Sequence, residues 1–103
     1  MSRSLIVDPA LGRWWAARIE QEVGHWWLIV WATHGQHFAA FYRGHWDKQG
    51  GVCRTGRTPH ELWARMREVQ QEGRRQAMAA HVTVPPVLSE QLPESLLSRA
   101  GQP

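Results

Sequence analysis

Cysteine and lysine occur once each in this chain of 103 residues, as Cys53 and Lys48. A lone cysteine excludes an intrachain disulfide framework. It also excludes any zinc module, within one chain, that needs two or more cysteine ligands. No apolar run approaches the roughly 18 residues that a membrane helix needs, and the opening residues MSRSLIVDPALG lack a basic stretch followed by a long apolar one. A cytoplasmic protein without membrane contact is therefore expected. The chain also lacks G-x-S-x-G, G-x-x-x-x-G-K-[ST], H-x-x-x-H and C-x-x-C patterns, and no pair of carboxylates sits in an apolar setting. His34 and His37 flank a turn, and His45, Cys53 and His60 follow, but no spacing among them supplies a fixed third ligand. No catalytic site, cofactor or metal is expected.

What is present is one domain's worth of apolar sequence. Hydrophobic residues make up 43% and charged residues 20%, which argues against global disorder. Seven tryptophans are the outstanding surplus. Each can bury roughly 150–250 Å², so several of them left in water would forfeit stability and invite aggregation. Twelve basic residues against nine acidic ones give a net charge of +3, and all the basic residues except Lys48 are arginine. The excess is local. Residues 54–75 hold six arginines against Glu61, Glu68 and Glu72, whereas the flanking stretches are nearly balanced. Arginine suits bidentate contacts to phosphate and stacking on rings.

Read in order, Ser4–Val7 is a candidate first strand or arm, broken by Asp8-Pro9. Between Arg13 and Gln21 the residues alternate, Trp15, Ala17 and Ile19 falling on one side, which is the period of a half-buried strand. His25–Thr33 is apolar on both faces and reads as a central strand. His34-Gly35-Gln36 makes a turn, and His37–Arg43 returns as the next strand. Centring the turn on Gly35-Gln36 places Trp31 opposite Ala40 and Val30 opposite Phe41. Residues 44–57 hold four glycines and read as a loop, with a brief strand at Val52–Arg54. Thr58-Pro59-His60-Glu61 is a capping box: a hydroxyl at the N-cap, proline at the first helical position, and glutamate three residues after the cap. Leu62, Met66 and Val69 then give an amphipathic helix its inner stripe. Gly73 weakens that helix, the following alanines permit it to continue, and Val84-Pro85-Pro86 stops it. A short helical turn near Glu94–Arg99 is expected within the remainder.

The expected fold is α+β: a three- or four-stranded antiparallel meander followed by one amphipathic helix packed on one face. Residues 1–81 form the single β-β-β-α domain and residues 82–103 a flexible, proline-containing tail. One helix shields only one face of a sheet, and with tryptophans pointing both ways the second face needs cover. A second copy of the chain, another protein, the returning tail or stacked bases are the candidates.

The order of three strands and a helix resembles the arm-type DNA-binding domains of phage integrases, with Gly12-Arg13-Trp14 at its start and Thr58-Pro59 opening the helix. That likeness implies major-groove reading by the sheet; the tryptophan-rich faces depart from the polar faces such reading requires. The function expected is a small, non-catalytic, bacterial-type binding or regulatory module. It would act as a homodimer contacting nucleic acid through Arg54, Arg57, Arg65, Arg67, Arg74 and Arg75, with loop residue Trp46 as a further contact. The alternative is a protein–protein interaction module, an adaptor, inhibitor or accessory protein, using a tryptophan- and arginine-rich surface.

Overall fold

The computed structural model describes residues 8–97. The first element is a helix, α1 (Pro9–Val23), and this corrects the strand expected over residues 13–21. Asp8 caps it, its carboxylate accepting from the amides of Ala10 at 3.1 Å and Leu11 at 3.4 Å. Pro9 takes the first helical position, and Gly24 ends the helix at a φ of 71°. Thus Asp8-Pro9 starts a helix as Thr58-Pro59 does, because proline has no amide to lose there and its φ is already helical. Trp15 and Ile19, four residues apart, fit a strand period and a helix period equally. Gly12, Ala16 and Val23 decide the matter, being buried with them on one stripe.

A single 3-10 turn, Gly24–Trp26, leads into the sheet. Three antiparallel strands follow, β1 (Trp27–Ala32), β2 (His37–Tyr42) and β3 (Val52–Gly56), in the order β1-β2-β3. The segment expected at the centre of the sheet is therefore an edge strand. Its free side is partly closed by α1, since the Glu20 carboxylate accepts from the Ile29 amide at 2.8 Å. The β1–β2 turn closes through the Gln36 amide donating to the Thr33 carbonyl at 3.3 Å, with Gln36 at φ 53°. Trp31 consequently pairs with Phe38, Ile29 with Ala40 and Trp27 with Tyr42. This register is two residues from the expected one, so the composition of each face is unchanged.

The second long helix, α2 (Pro59–Ala80), carries the cap read from the sequence: Thr58 Oγ1 accepts from the Glu61 amide at 3.1 Å. Gly73 does not interrupt it. Instead that glycine lets the helix pass close to Tyr42, where a Cβ would lie 2.7 Å from the ring's Cζ. Both helices pack on the same face of the sheet, and the core lies between them and the strands. It contains Trp15, Ile19, Trp27, Trp31, Phe38, Leu62, Trp63 and Met66. The remainder confirms an α+β fold in which a three-stranded meander is followed by an amphipathic helix on one face. Because α1 precedes the sheet, the strand-first order that carried the resemblance to integrase arm domains does not hold.

No tryptophan lies on the outer face. Trp15, Trp27, Trp31 and Trp63 are buried, while Trp14, Trp26 and Trp46 are half-buried against the core. The expectation of tryptophans on both faces is thus corrected, since Trp14 and Trp15 sit on a helix and Trp27 and Trp31 point the same way. Beyond α2, residues 82–97 have little regular structure apart from α3 (Glu94–Leu97), yet they lie along the helix side of the molecule. Leu88, Leu92 and Leu96 are buried in the core cluster. The Trp63 indole N–H donates to the Ser89 carbonyl at 2.9 Å, and Gln70 Nε2 donates to the Pro86 carbonyl. This stretch does not reach the outer face of the sheet. The strand proposed for residues 4–7 lies outside the described residues.

Candidate nucleic-acid interface

The carboxyl end of β3 runs directly into the start of α2, which sets the geometry of the basic segment. Gly56 is buried because Leu62 passes over it; a Cβ there would stand 2.8 Å from the Leu62 Cα. The backbone of Arg57 is fixed in turn, its amide donating to Glu61 Oε1 at 2.6 Å. Arg57 and Arg65 are both exposed, one before α2 and the other on its second turn. Together with Gly35 and His37 from the β1–β2 hairpin and Thr55 from β3, they line an open hollow of about 370 Å³. Arg54, two residues before Gly56, is also exposed and holds its guanidinium against the Cys53 carbonyl at 2.9 Å. Two arginines, Arg57 and Arg65, and one half-buried histidine thus line the hollow at this corner, in which Glu61 is the lining carboxylate, while Arg54 stands outside that hollow.

The other three expected arginines are placed differently. Arg67 is half-buried on α2 and its Nε has no partner. Arg74 is half-buried and donates to the Pro85 carbonyl, tying the C-terminal stretch to α2. Arg75 pairs with Glu72 on the same helix. Hydrogen bonds from Arg75 and Gln76 lower the Glu72 pKa, and Glu72 raises that of Arg75. Arg75 is therefore paired with a carboxylate of its own helix where it stands. Trp46 is half-buried, its ring edge-on to Tyr42 with centroids 5.9 Å apart. His45 Nε2 and Asp47 Oδ1 lie 2.9 Å apart in the same loop, and the Asp47 amide donates to Gln76 Oε1 at 2.9 Å. The loop that was singled out for contact is thus also anchored to α2.

His37 was not among the expected contact residues. Its position depends on the strand register, since pairing opposite Ala32 puts it at the hairpin end nearest Arg57. A second hollow, of about 380 Å³, lies between Gly24, His25, Trp27 and Arg43. It has one arginine, and the carboxylate of Glu20 on its wall is already bonded to Ile29. Among the described residues no group of three or more His, Cys, Asp or Glu is arranged to hold a metal ion. No described helix is long and apolar enough to cross a membrane. Comparison with protein-family models, with curated proteins and with solved structures gives no match, so the site is read from its own chemistry.

Proposed function

We propose that this protein is a small non-catalytic nucleic-acid-binding module whose contact surface is the corner bearing Arg54, Arg57 and Arg65. The observation that carries this reading is convergence: the junction of β3 with α2 and the second turn of α2 bring the exposed Arg57 and Arg65 to one polar hollow, with the exposed Arg54 nearby on β3. Guanidinium forks match phosphate oxygens in geometry and charge. Contacts of this kind position a protein on a nucleic-acid backbone without reading sequence. The exposed side chains of the corner include no large apolar group that would favour a hydrophobic ligand instead.

A protein-interaction module working through tryptophan hot spots has less support, because none of the seven tryptophans is exposed. Binding of labelled duplex and single-stranded DNA and RNA to the wild type and to the Arg57→Ala/Arg65→Ala double variant tests the proposal. The double variant is expected to bind about tenfold or more weakly, by a similar factor on unrelated sequences, as loss of phosphate contacts requires. Arg75→Ala, which removes a paired charge, serves as the control and is expected to bind like the wild type. No binding at low salt, or equal binding by the double variant, would overturn the reading.

A further inference from the structure

The hollow at the junction of β3 and α2 holds more than guanidiniums. Glu61 and Arg65 lie one helical turn apart on α2, with the spacing and order at which an acid and a base ordinarily pair along a helix. They do not pair here. The Glu61 carboxylate is turned back along the chain, where Oε1 accepts from the Arg57 amide at 2.6 Å. Among the described residues the ion pairs are His45 with Asp47 and Glu72 with Arg75, so Arg57, Glu61 and Arg65 line one hollow without pairing to each other. A phosphate accepts hydrogen bonds and is attracted by cations. It therefore accounts for the two guanidiniums and leaves the carboxylate opposing it.

The carboxylate is held in place, because the bond to the Arg57 amide completes the cap of α2 and leaves Oε2 without a hydrogen-bond partner among the described residues. The hairpin side of the hollow supplies a ring. The half-buried His37 imidazole lies against Gly35, where a Cβ would overlap it. Rings of this kind, like guanidinium planes, stack on unpaired bases. The volume of about 370 Å³ is that of a small-molecule pocket rather than of a flat contact with a phosphate backbone.

We infer, resting on the nucleic-acid reading above, that this hollow takes one unpaired nucleotide of a single strand whose base bears an exocyclic amino group: cytosine, adenine or guanine. Arg57 and Arg65 take the flanking phosphates, His37 stacks on the base, and Glu61 Oε2 accepts from the amino group. Uracil and thymine are rejected. They present a carbonyl oxygen where cytosine carries its amino group, and two acceptors face to face have no proton to share. A paired base stays stacked on both sides and does not enter the hollow.

Cytosine and uracil give the cleanest comparison, since they match in size and differ chiefly in that one group. The full chain is titrated with oligocytidylate and oligouridylate of about five nucleotides. The cytidine strand is expected to bind about fivefold more tightly, the effect of one hydrogen bond. Glu61→Gln keeps the cap, because glutamine also offers an oxygen to the Arg57 amide, but puts an N–H donor where Oε2 stands. It is expected to bring the preference below about twofold or to reverse it toward uridine, with the circular dichroism unchanged. A residue that only caps the helix would not move that ratio. Arg57→Ala/Arg65→Ala is expected to weaken both strands by a similar factor. Equal binding of the two strands by the wild type, or a cytidine preference that survives Glu61→Gln, overturns this inference alone. Failure of every single strand and duplex to bind at low salt overturns the nucleic-acid reading with it.

Discussion

Tyr42 is held between two glycines. A Cβ at Gly73 would stand 2.7 Å from its Cζ, and one at Gly44 would stand 3.0 Å from its Cε2. The ring is buried, its hydroxyl has no hydrogen-bond partner, and burial pushes the phenol pKa up. Replacing a glycine by alanine inside a helix ordinarily stabilises by about 0.8–1 kcal/mol. At residue 73 the opposite sign is expected, with Gly73→Ala lowering stability by about 1–3 kcal/mol in urea unfolding, because the added methyl overlaps the tyrosine ring. Tyr42→Phe removes an unpaired buried hydroxyl and is expected to be neutral or stabilising by about 1 kcal/mol. The pH dependence follows the direction of the shift. A phenol whose folded pKa is raised contributes stability that is complete below the unfolded pKa, near 10, and is lost as pH rises toward the folded one. Alkaline titration of stability should therefore fall above about pH 10 in the wild type and flatten there in Tyr42→Phe.

Among the elements, α1 and the segment after α2 differ most from what their residues suggest. Apolar alternation from Trp15 to Ile19 is common to both periods. The deciding signals were Asp8-Pro9, which is a helix start as well as a break, and the burial of Gly12 under Trp31. The latter is tertiary information that no local pattern holds. By contrast, α2 was legible because Thr58, Pro59 and Glu61 form a local, self-sufficient cap. β1 and β2 were legible because a short turn joins two apolar runs, while their register depended on two more residues, Thr33 and His34, entering that turn. Prolines correctly indicated little regular structure beyond α2, but could not show that Leu88, Leu92 and Leu96 are drawn into the core. Gln70 explains part of this. Buried on α2, it accepts from the Trp27 indole at 2.5 Å and donates to the Pro86 carbonyl, joining sheet, helix and tail. Ending the chain at residue 84 removes three buried leucines worth about 1.5–3 kcal/mol each, a large share of a small domain's stability of about 5–15 kcal/mol. The truncated chain is expected to unfold at markedly lower urea concentration, with tryptophan emission shifted to the red as Trp63 loses its cover. Unchanged unfolding would show that this segment contributes nothing to the core.

At the level of the whole molecule the two sides of the sheet have separate chemistry. The inner side takes both helices and every buried tryptophan. On the outer side Leu28, Val30 and Phe41 are exposed, and Arg57 and Arg65 stand at the hairpin end of the sheet beside the start of α2. The sequence showed the arginine excess of residues 54–75 but not its division. Arg54, Arg57 and Arg65 face solvent unpaired by another side chain's carboxylate, whereas Arg74 serves the tail and Arg75 serves Glu72. That division depends on where the helix face points and on the course of the tail, both fixed only by packing. It also limits the number of phosphates engaged. Two or three free guanidiniums predict a shallow dependence on salt, with a slope of log affinity against log salt of about −2 to −3 on duplex. The measurement that tests the central claim most directly is that slope, determined for the wild type and for Arg57→Ala/Arg65→Ala. The account predicts a wild-type slope of about −2 to −3 that falls by nearly 2 in the double variant. A slope indistinguishable from zero, or one that the double substitution leaves unchanged, would contradict it.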